Sequence, residues 1–259
     1  MCNEKTVELI CYLYDNVNGV VTGIIATIIC GLVAWLIKKG LYWFKNRSVK
    51  KIFGFDCWNE LYPLVGGKLH PKEGKLYYSF GKPGSTKTFT QAYVMPYSEV
   101  LASDYIKVFM VKELNARVHL VFDEDLKEPR SFCSFGGYNN NLSLSILKNS
   151  KNVFYDIPFN IKRGENLFPC ILNKKTQKQF VADADYDYGV IIKIIENNRN
   201  VQICIIGLDE IGTQGSAYFL AARWKKIASL FKNQEFGCVV KVLRRQVTSV
   251  EMVDWLTTD

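Results

Sequence analysis

The feature that most constrains this chain is an uncharged apolar run near its N-terminus, Val20–Ile37. An α-helix needs roughly 20 predominantly apolar residues to cross the hydrocarbon core of a bilayer, and flanking residues extend this run towards that length. A secretory signal peptide carries its positive charges before the apolar stretch, whereas here Glu4, Glu8 and Asp15 precede it. The run therefore predicts a transmembrane helix rather than a signal peptide.

Positive charge follows the apolar run and predicts its orientation. The basic residues that come after it are Lys38, Lys39, Lys45, Arg47, Lys50 and Lys51. Because positively charged flanks remain in the cytosol, we expect the N-terminus outside and the C-terminal part inside. The sequence then divides into a short extracytoplasmic segment (1–19), a transmembrane helix (20–37), a basic juxtamembrane segment at the cytosolic interface (38–56) and a cytosolic domain (57–259).

The composition excludes several classes of protein. The six basic residues after the apolar run supply most of the formal net charge of +8, so the charge of the whole chain is weak evidence for nucleic-acid binding. The eight cysteines include no close CxxC pair and read as free thiols of a reducing compartment. With two histidines in the chain, a histidine-based metal centre or catalytic triad is disfavoured, and we expect no cofactor.

Small residues recur every four positions in and beside the apolar run. They are Gly19, Gly23, Thr27 and Gly31. On a helix this spacing forms one face along which a second helix can approach closely, so it favours a homo-oligomer. If several copies surrounded an axis, the same face would line a narrow pore. Chance remains an alternative, because Gly and Thr are common in membrane helices.

In the rest of the chain, segments with the apolar spacing of strands alternate with segments that have the apolar spacing of helices. This alternation predicts an α/β domain with a partly parallel sheet. Helices are expected at residues 102–114, 141–147 and 211–231. Strands are expected at residues 75–80, 117–122, 130–135, 152–159, 180–195, 201–206 and 237–243, and an interruption of the 180–195 strand is expected near residues 185–188.

Two glycine-rich loops follow predicted strands and open predicted helices. The first gives the candidate ligand-binding residues Gly136, Gly137, Tyr138, Asn139 and Asn141. The second gives the candidates Gly212, Thr213, Gln214, Gly215 and Ser216, and Tyr188 is a candidate for stacking on a base. Glycines allow close backbone approach, and N–H groups at a helix N-terminus bind anions. In an open parallel sheet both loops lie at the carboxyl ends of strands, where such folds bind ligands.

Other patterns leave alternatives open. Residues 81–88, GKPGSTKT, approach the P-loop pattern but have Thr86 where that pattern needs glycine. Asp209 and Glu210 are candidate acid/base residues of an anchored nucleotide-processing enzyme. Asp183, Asp185 and Asp187 suggest a solvated acidic turn more than a metal site. A passive, membrane-anchored interaction module is a further alternative.

The two loops resemble a known domain type. The series Gly136-Gly137-x-x-x-Asn141, then Asp187-Tyr188-Gly189, then Gly212-Thr213-x-x-Ser216 with Ala221-Ala222 is similar to a Rossmann-like ligand-binding domain of bacterial defence proteins. That domain carries a GGPxxN motif, a D-Y-G strand and a G-x-x-G-T-x-A-A helix start. This chain departs from it at Tyr138, which stands in place of the proline. The resemblance covers roughly residues 75–245.

With its N-terminal membrane helix, the chain resembles membrane effectors of bacterial anti-phage nucleotide-signalling systems, the Hailong type among them. The resemblance implies a single-pass protein of the bacterial inner membrane that forms homo-oligomers, with a tetramer favoured. It implies a pore or ion channel gated by a nucleotide second messenger or a short DNA or RNA oligonucleotide. A partner nucleotidyltransferase would make that ligand, and a change in ligand state would cause depolarisation and growth arrest. No catalytic residue is expected.

Overall fold

The computed structural model describes residues 4–54, 61–66, 78–79, 86–87, 95–126, 130–137, 140–157, 161–163, 166–197 and 199–258. Its contacts divide the chain into two compact units, Met1–Arg47 and Ser48–Asp259. Four α-helices are described: α1 (Glu4–Phe53), α2 (Tyr97–Leu114), α3 (Asn141–Lys148) and α4 (Glu210–Phe231). The expected helices α3 and α4 are confirmed to within one residue at each end, and α2 is confirmed but begins five residues earlier than expected, at Tyr97.

Helix α1 is long and apolar enough to cross a membrane. Its apolar residues are exposed in the single chain, as a membrane-spanning surface requires, and the helix continues without a break through the basic residues to Phe53. Apart from the adjacent residues and the helix's own backbone, no atom lies within 4 Å of the position that a Cβ would take at Gly19, Gly23 or Gly31. The Thr27 hydroxyl donates to the Gly23 carbonyl at 2.8 Å. The predicted stripe of small residues is therefore an open face.

A seven-stranded sheet forms the centre of the second unit. Its strands are β1 (Leu61–Gly66), β4 (Arg117–Phe122), β5 (Phe132–Phe135), β11 (Tyr186–Ile195), β12 (Val201–Gly207), β13 (Phe236–Leu243) and β14 (Gln246–Thr257). Their order in the sheet is β14-β13-β11-β12-β5-β1-β4. Pairing is parallel from β4 to β12 and antiparallel from β12 to β14. This confirms the predicted mixed α/β domain with a partly parallel sheet.

Shorter strands form three small sheets. They are the hairpin of β2 (Tyr78–Ser79) with β3 (Thr86–Lys87), the hairpin of β7 (Ile161–Arg163) with β8 (Asn166–Phe168), and the sheet of β6 (Tyr155–Asp156), β9 (Ile171–Asn173) and β10 (Gln179–Phe180). The strand predicted over 152–159 is wrong in extent. Asn152 turns the chain there, because its side-chain amide donates to the carbonyls of Leu147 and Tyr155.

Two apolar cores cover the two faces of the large sheet. Helices α2 and α4 pack with the end of α1 on the first face, and α3 packs with β6, β9 and β10 on the second. Successive side chains of a strand point to opposite faces, and β12 shows this directly. Its Ile203 and Ile205 belong to the first core, whereas Cys204 and Ile206 belong to the second.

The end of α1 is a structural part of the first core. Val49, Ile52 and Phe53 are at most 1% exposed. The Phe53 ring lies 6.0 Å from the rings of both Tyr62 and Phe109, centroid to centroid. The expected juxtamembrane segment 38–56 is thus helical to residue 53, and its last turn lies in the apolar interior of the domain.

Polar contacts fix the same helix end to the sheet. Gly54 adopts a left-handed conformation (φ +69°), and its N–H donates to the Lys50 carbonyl, as in glycine-terminated helices generally. The Gly54 carbonyl accepts a hydrogen bond from the Ser131 hydroxyl at 2.8 Å, and the same hydroxyl accepts from the Val201 N–H at 2.9 Å. On β11, the buried ammonium of Lys193 donates to the Lys51 carbonyl. Burial lowers the pKa of Lys193 to about 8, which Glu235 partly offsets.

We predict that Gly54→Ala destabilises the domain by about 2 kcal/mol or more. A Cβ there requires a strained backbone and overlaps the Val201 side chain and the Ser131 hydroxyl. Thermal unfolding of the full chain in detergent measures the effect. Gly40→Ala is the matched control, because Gly40 lies on α1 with open space around it, and we expect no loss of stability. Equal melting temperatures for wild type and Gly54→Ala would contradict the prediction.

Candidate functional site

The carboxyl ends of the parallel strands meet at one edge of the large sheet. We call this the carboxyl edge and define it by Gly66, Asp123, Gly136 and Gly207, which end or directly follow β1, β4, β5 and β12. In register, Gly66 lies beside Phe122 of β4, and Ile205 of β12 lies beside Phe135 of β5. The two glycine-rich loops predicted from the sequence therefore lie side by side at this edge. That part of the prediction is confirmed.

A topological switch occurs between β1 and β5. After β1 the chain passes to α2 on the first face, and after β5 it passes to α3 on the second. Neighbouring parallel strands whose connections leave to opposite faces form a crevice at their carboxyl ends, and open α/β sheets bind ligands there. The fold therefore makes the space next to Gly66 and Gly136 the candidate position for a ligand.

Asn140 joins the two strands that border this crevice. Its side-chain amide donates to the carbonyls of Val65 (3.0 Å) and Phe135 (2.9 Å), so it bridges β1 and β5. Its amide oxygen accepts from the backbone N–H groups of Leu142 and Ser143, both at 3.1 Å. Asn140 is fully buried. Sequence reasoning did not select this residue, although an asparagine before a helix is a recognisable N-cap.

The first N–H groups of α3 are already bonded within the chain. The Asn141 N–H donates to Asp123 Oδ2 at 2.7 Å, and the next two N–H groups donate to Asn140. A phosphate therefore has no free donor at this helix N-terminus in the described structure. Gly136 adopts φ +79° against the Glu99 carboxylate, whereas Gly137 remains half-exposed. The predicted residues Tyr138 and Asn139 lie outside the described residues.

The second loop is held by its own threonine. The Thr213 hydroxyl accepts from the Gly207 N–H at 2.9 Å. Asp209 caps α4 by accepting from the Glu210 N–H at 2.8 Å. The predicted ligand-binding residues Gln214, Gly215 and Ser216 lie in the first turns of α4 and are buried.

Small residues in this loop let α4 lie directly on the sheet. A Cβ at Gly212 would overlap the Tyr188 carbonyl, and one at Gly215 would overlap Val242. A Cβ at Gly189 of β11 would overlap the Ser216 hydroxyl. These contacts account for the glycines and for Ser216 by close helix–strand packing. Direct contact of these residues with a ligand stays a prediction.

Asp187 joins β11 to the start of α4. Its carboxylate accepts from the Gly212 N–H at 2.6 Å and from the Tyr188 N–H at 2.7 Å. The residue is fully buried, and burial raises the pKa of its carboxyl group to about 6. The expectation that Asp183, Asp185 and Asp187 form one exposed acidic turn is therefore wrong for Asp187. The other two residues are exposed, as expected.

Arg244 supplies positive charge next to Asp209. Its Nη1 lies 2.9 Å from Asp209 Oδ2, and its Nε donates to the Asp183 carbonyl at 2.8 Å. The hydrogen bond from Arg244 lowers the pKa of Asp209. Asp209 is thus held ionised, which suits a helix cap and makes it a poor general acid.

Two further predicted features have defined positions. The Tyr188 ring lies 5.9 Å from the Phe180 ring and packs against the second core, so its role in base stacking stays a prediction. Thr86 and Lys87 lie in a β-hairpin strand, whereas a P-loop lysine lies where a loop enters a helix. The hairpin argues against the P-loop alternative.

The described side chains at the carboxyl edge are mainly hydrogen-bond acceptors. Carboxylates of Glu99, Asp123, Asp187 and Asp209 lie at or beside it, and Arg244 is bonded to Asp209. Within the described part of the chain, no group of three or more His, Cys, Asp or Glu side chains is arranged to hold a metal ion. Both oxygens of Asp187 and both oxygens of Asp209 already accept hydrogen bonds within the chain.

Comparisons of the chain with protein-family models, with curated proteins and with solved structures found no match.

We predict that Asn140→Ala destabilises the protein by about 2–4 kcal/mol. The substitution removes the cap of α3 and leaves two buried carbonyls without their donor. Asn141→Ala is the matched control, because the Asn141 side chain is exposed, and it should change stability by less than about 0.5 kcal/mol. Chemical denaturation of both variants measures the difference. A similar small effect for both would refute the bridging role of Asn140.

We predict that Asp187 makes stability depend on pH between about 4 and 6. Its folded-state pKa of about 6 exceeds the value near 3.9 of an unfolded aspartate, so the folded protein binds this proton more tightly. The stability that Asp187 contributes is therefore complete below about pH 4 and lost as the pH rises through 6. Relative to Asp187→Asn, wild type should lose about 2–3 kcal/mol across this range.

Unfolding experiments at several pH values measure this difference. Asp185→Asn is the control, since Asp185 is exposed in the preceding turn, and its pH profile should match that of wild type. Parallel profiles for wild type and Asp187→Asn would show that the buried carboxyl group does not titrate in this range.

Proposed function

We propose that this chain is a homo-oligomeric membrane effector of bacterial anti-phage defence. Its α/β domain binds a nucleotide or short oligonucleotide on the cytosolic side of the inner membrane, and ligand state gates a pore formed by α1. Opening depolarises the cell and arrests growth, and a partner nucleotidyltransferase makes the ligand. One observation carries the proposal: the C-terminal end of the apolar helix is built into the core of the ligand-binding fold.

This attachment favours transmission over passive anchoring. A tether needs only a flexible linker between helix and domain. Here Val49, Ile52 and Phe53 are buried in the first core, and Gly54 and Lys51 are hydrogen-bonded to Ser131 and Lys193. A rearrangement of the sheet therefore changes the surroundings of the helix end directly.

Strands β5 and β12 run from the end of α1 to the carboxyl edge. Ser131 directly precedes β5, and Val201 begins β12. These two strands carry the glycine-rich loops at their other ends. A ligand gates such a protein only if it binds one arrangement of the domain more tightly than another. A ligand that shifts β5 relative to β12 would act on the Ser131 contact with Gly54.

Charge in the chain between β1 and α2 supports an anionic ligand. Residues 67–94 contain Lys68, Lys72, Lys75, Lys82 and Lys87, together with several aromatic residues. Both ends of this segment meet at the crevice, because the Met95 side chain occupies the space where a Cβ of Gly66 would lie. Lysines bind phosphate groups and aromatic rings stack on bases.

The features of α1 support the membrane part of the proposal. Its apolar surface is exposed, and the open face of Gly19, Gly23, Thr27 and Gly31 suits close packing between copies. The basic residues after it favour a cytosolic domain. A tetramer is the oligomer that the resemblance implies.

Conductance of reconstituted protein tests the proposal. The full chain is placed in liposomes and challenged with mixed pools of mononucleotides, RNA trinucleotides and DNA trinucleotides. We expect at least one pool to bind and to change ion flux. Extraction of purified protein followed by mass spectrometry should identify a co-purifying nucleotide. If no pool binds and none changes flux, the proposal is wrong.

A coupling variant separates gating from binding. Lys193→Met keeps the length of the side chain and removes its hydrogen bond to the Lys51 carbonyl. We expect ligand affinity within about threefold of wild type and a flux response reduced by about tenfold, since a charged hydrogen bond contributes about 1.5–3 kcal/mol. Lys148→Met, on the exposed last turn of α3, should respond like wild type. Loss of ligand binding together with the flux response would argue for a general folding defect instead.

A further inference from the structure

A groove lies between helices α2 and α4, and the candidate ligand-binding residues take no part in its lining. Its volume is about 590 Å³. The lining comes from residues 105–113 of α2 and 218–226 of α4. At about 1.5 Å of rise per residue, each of these stretches is roughly 12 Å long, a little over two helical turns. We call this space the α2/α4 groove.

The floor of the α2/α4 groove is apolar. The rings of Phe109 and Trp224 lie 5.6 Å apart, centroid to centroid, and each residue is 6% exposed. Ala221 and Ala222 present only small side chains to the groove, and Val108 is 48% exposed on its α2 side. Exposed apolar surface with a polar rim is typical of an interaction site.

The rim of the groove is positively charged. It carries four exposed cations, Lys112, Arg223, Lys225 and Lys226. None of the four forms an ion pair with a carboxylate in the described part of the chain. One carboxylate, that of Glu113, also lines the groove, so four positive charges stand against one negative charge. The groove therefore suits an occupant that is apolar on one side and negatively charged on its flanks.

These features disfavour three other occupants. A second copy packed symmetrically on the same surface would bring two cationic rims together, and they would repel each other. The floor rings are almost fully covered by protein, so they offer little surface on which a nucleobase can stack. One acyl chain needs about 15 Å, half of the hydrocarbon core of a bilayer, and the groove is shorter than this.

An amphipathic helix of two turns matches both the length and the chemistry of the groove. Such a helix presents apolar side chains at i, i+3, i+4 and i+7, and apolar grooves bind helices through these anchors. Acidic residues on either side of the apolar stripe would lie against the cationic rim, and complementary charge selects the correct partner. We infer that the α2/α4 groove docks an acidic amphipathic helix of a partner protein. This site is additional to the crevice at the carboxyl edge.

The docked helix would lie one side chain away from the end of α1. The Phe109 ring on the groove floor is 6.0 Å from the ring of Phe53, the last residue of α1, and 5.6 Å from the Trp224 ring. A partner that presses on Phe109 therefore acts on a residue that holds α1 in the first core. The groove thus gives a second protein access to the attachment of the helix.

Binding of designed peptides tests the inference. The full chain is reconstituted in phosphatidylcholine nanodiscs, and empty nanodiscs measure the background. The probe is a fluorescein-labelled peptide of about 14 residues, long enough to form a helix, with Leu at helical spacing and Glu at the positions between. One comparison peptide has Lys in place of Glu, and another has the same residues in an order without helical spacing. We expect the acidic amphipathic peptide to bind about tenfold or more tightly than either, and less tightly as salt is added.

A variant of α4 locates the binding site. Ala222→Glu places a negative charge inside the groove, so the affinity for the acidic peptide should fall about tenfold or more. Ser229→Glu is the matched control, because Ser229 is exposed on the same helix but does not line the groove, and its affinity should stay within about twofold of wild type. Ala222 is exposed, so we expect both variants to fold, and thermal unfolding checks this. The comparison of peptides on wild type does not depend on either variant.

Three results would overturn the inference. They are no binding of the acidic peptide, equal binding of the acidic and basic peptides, and binding that a folded Ala222→Glu leaves unchanged. Oleate and an RNA trinucleotide pool are titrated in parallel. If one of them binds instead of the peptide and Ala222→Glu abolishes that binding, the groove holds a lipid or a nucleic acid and the inference is wrong. The ion-flux experiment tests the proposed function separately.

Discussion

The attachment of the α1 end to the sheet is the constraint on which the rest of the structure depends. A helix end leaves carbonyl groups without intrahelical partners, and burying them without donors is costly. Here the buried ammonium of Lys193 supplies a donor to Lys51, and the left-handed Gly54 terminates the helix. The charge of Lys193 is tolerated in the core because that carbonyl accepts a hydrogen bond from the ammonium group and Glu235 lies nearby. The helix end and the middle of the sheet thus stabilise each other.

Side-chain oxygens of the chain itself accept the hydrogen bonds of the helix N-termini at the carboxyl edge. Asp123 and Asn140 bond the first N–H groups of α3, and Asp187 and Asp209 bond those of α4. A helix N-terminus favours negative charge, and the fold satisfies that preference internally. A phosphate would therefore have to be bound by other groups.

The sequence predicted the architecture better than the roles of individual residues. Apolar runs such as Val201–Ile206 and periodic stretches such as 211–231 identify buried elements, because their pattern follows from burial itself. Strand β14 was missed because it lies at the edge of the sheet, where none of its residues is fully buried and the apolar alternation is weak. The buried state of Asp187 and the bridging role of Asn140 depend on partners far apart in sequence, which no local pattern contains. Gly212 and Gly215 were expected to face a ligand. In the sequence alone, a glycine that is needed for close helix–strand packing looks the same as a glycine that contacts a ligand.

The contacts of the α1 end have a consequence for how the protein is made. Lys51 and its donor Lys193 are separated by 142 residues, and Gly54 and Ser131 by 77. During synthesis the end of the helix leaves the ribosome long before its partners exist. Until β11 and β12 have been translated, Ile52 and Phe53 have no complete core to enter, and such exposed apolar surface attracts chaperones and proteases. A nascent or truncated chain therefore exposes this helix end without a finished domain, which makes it a target of cellular quality control.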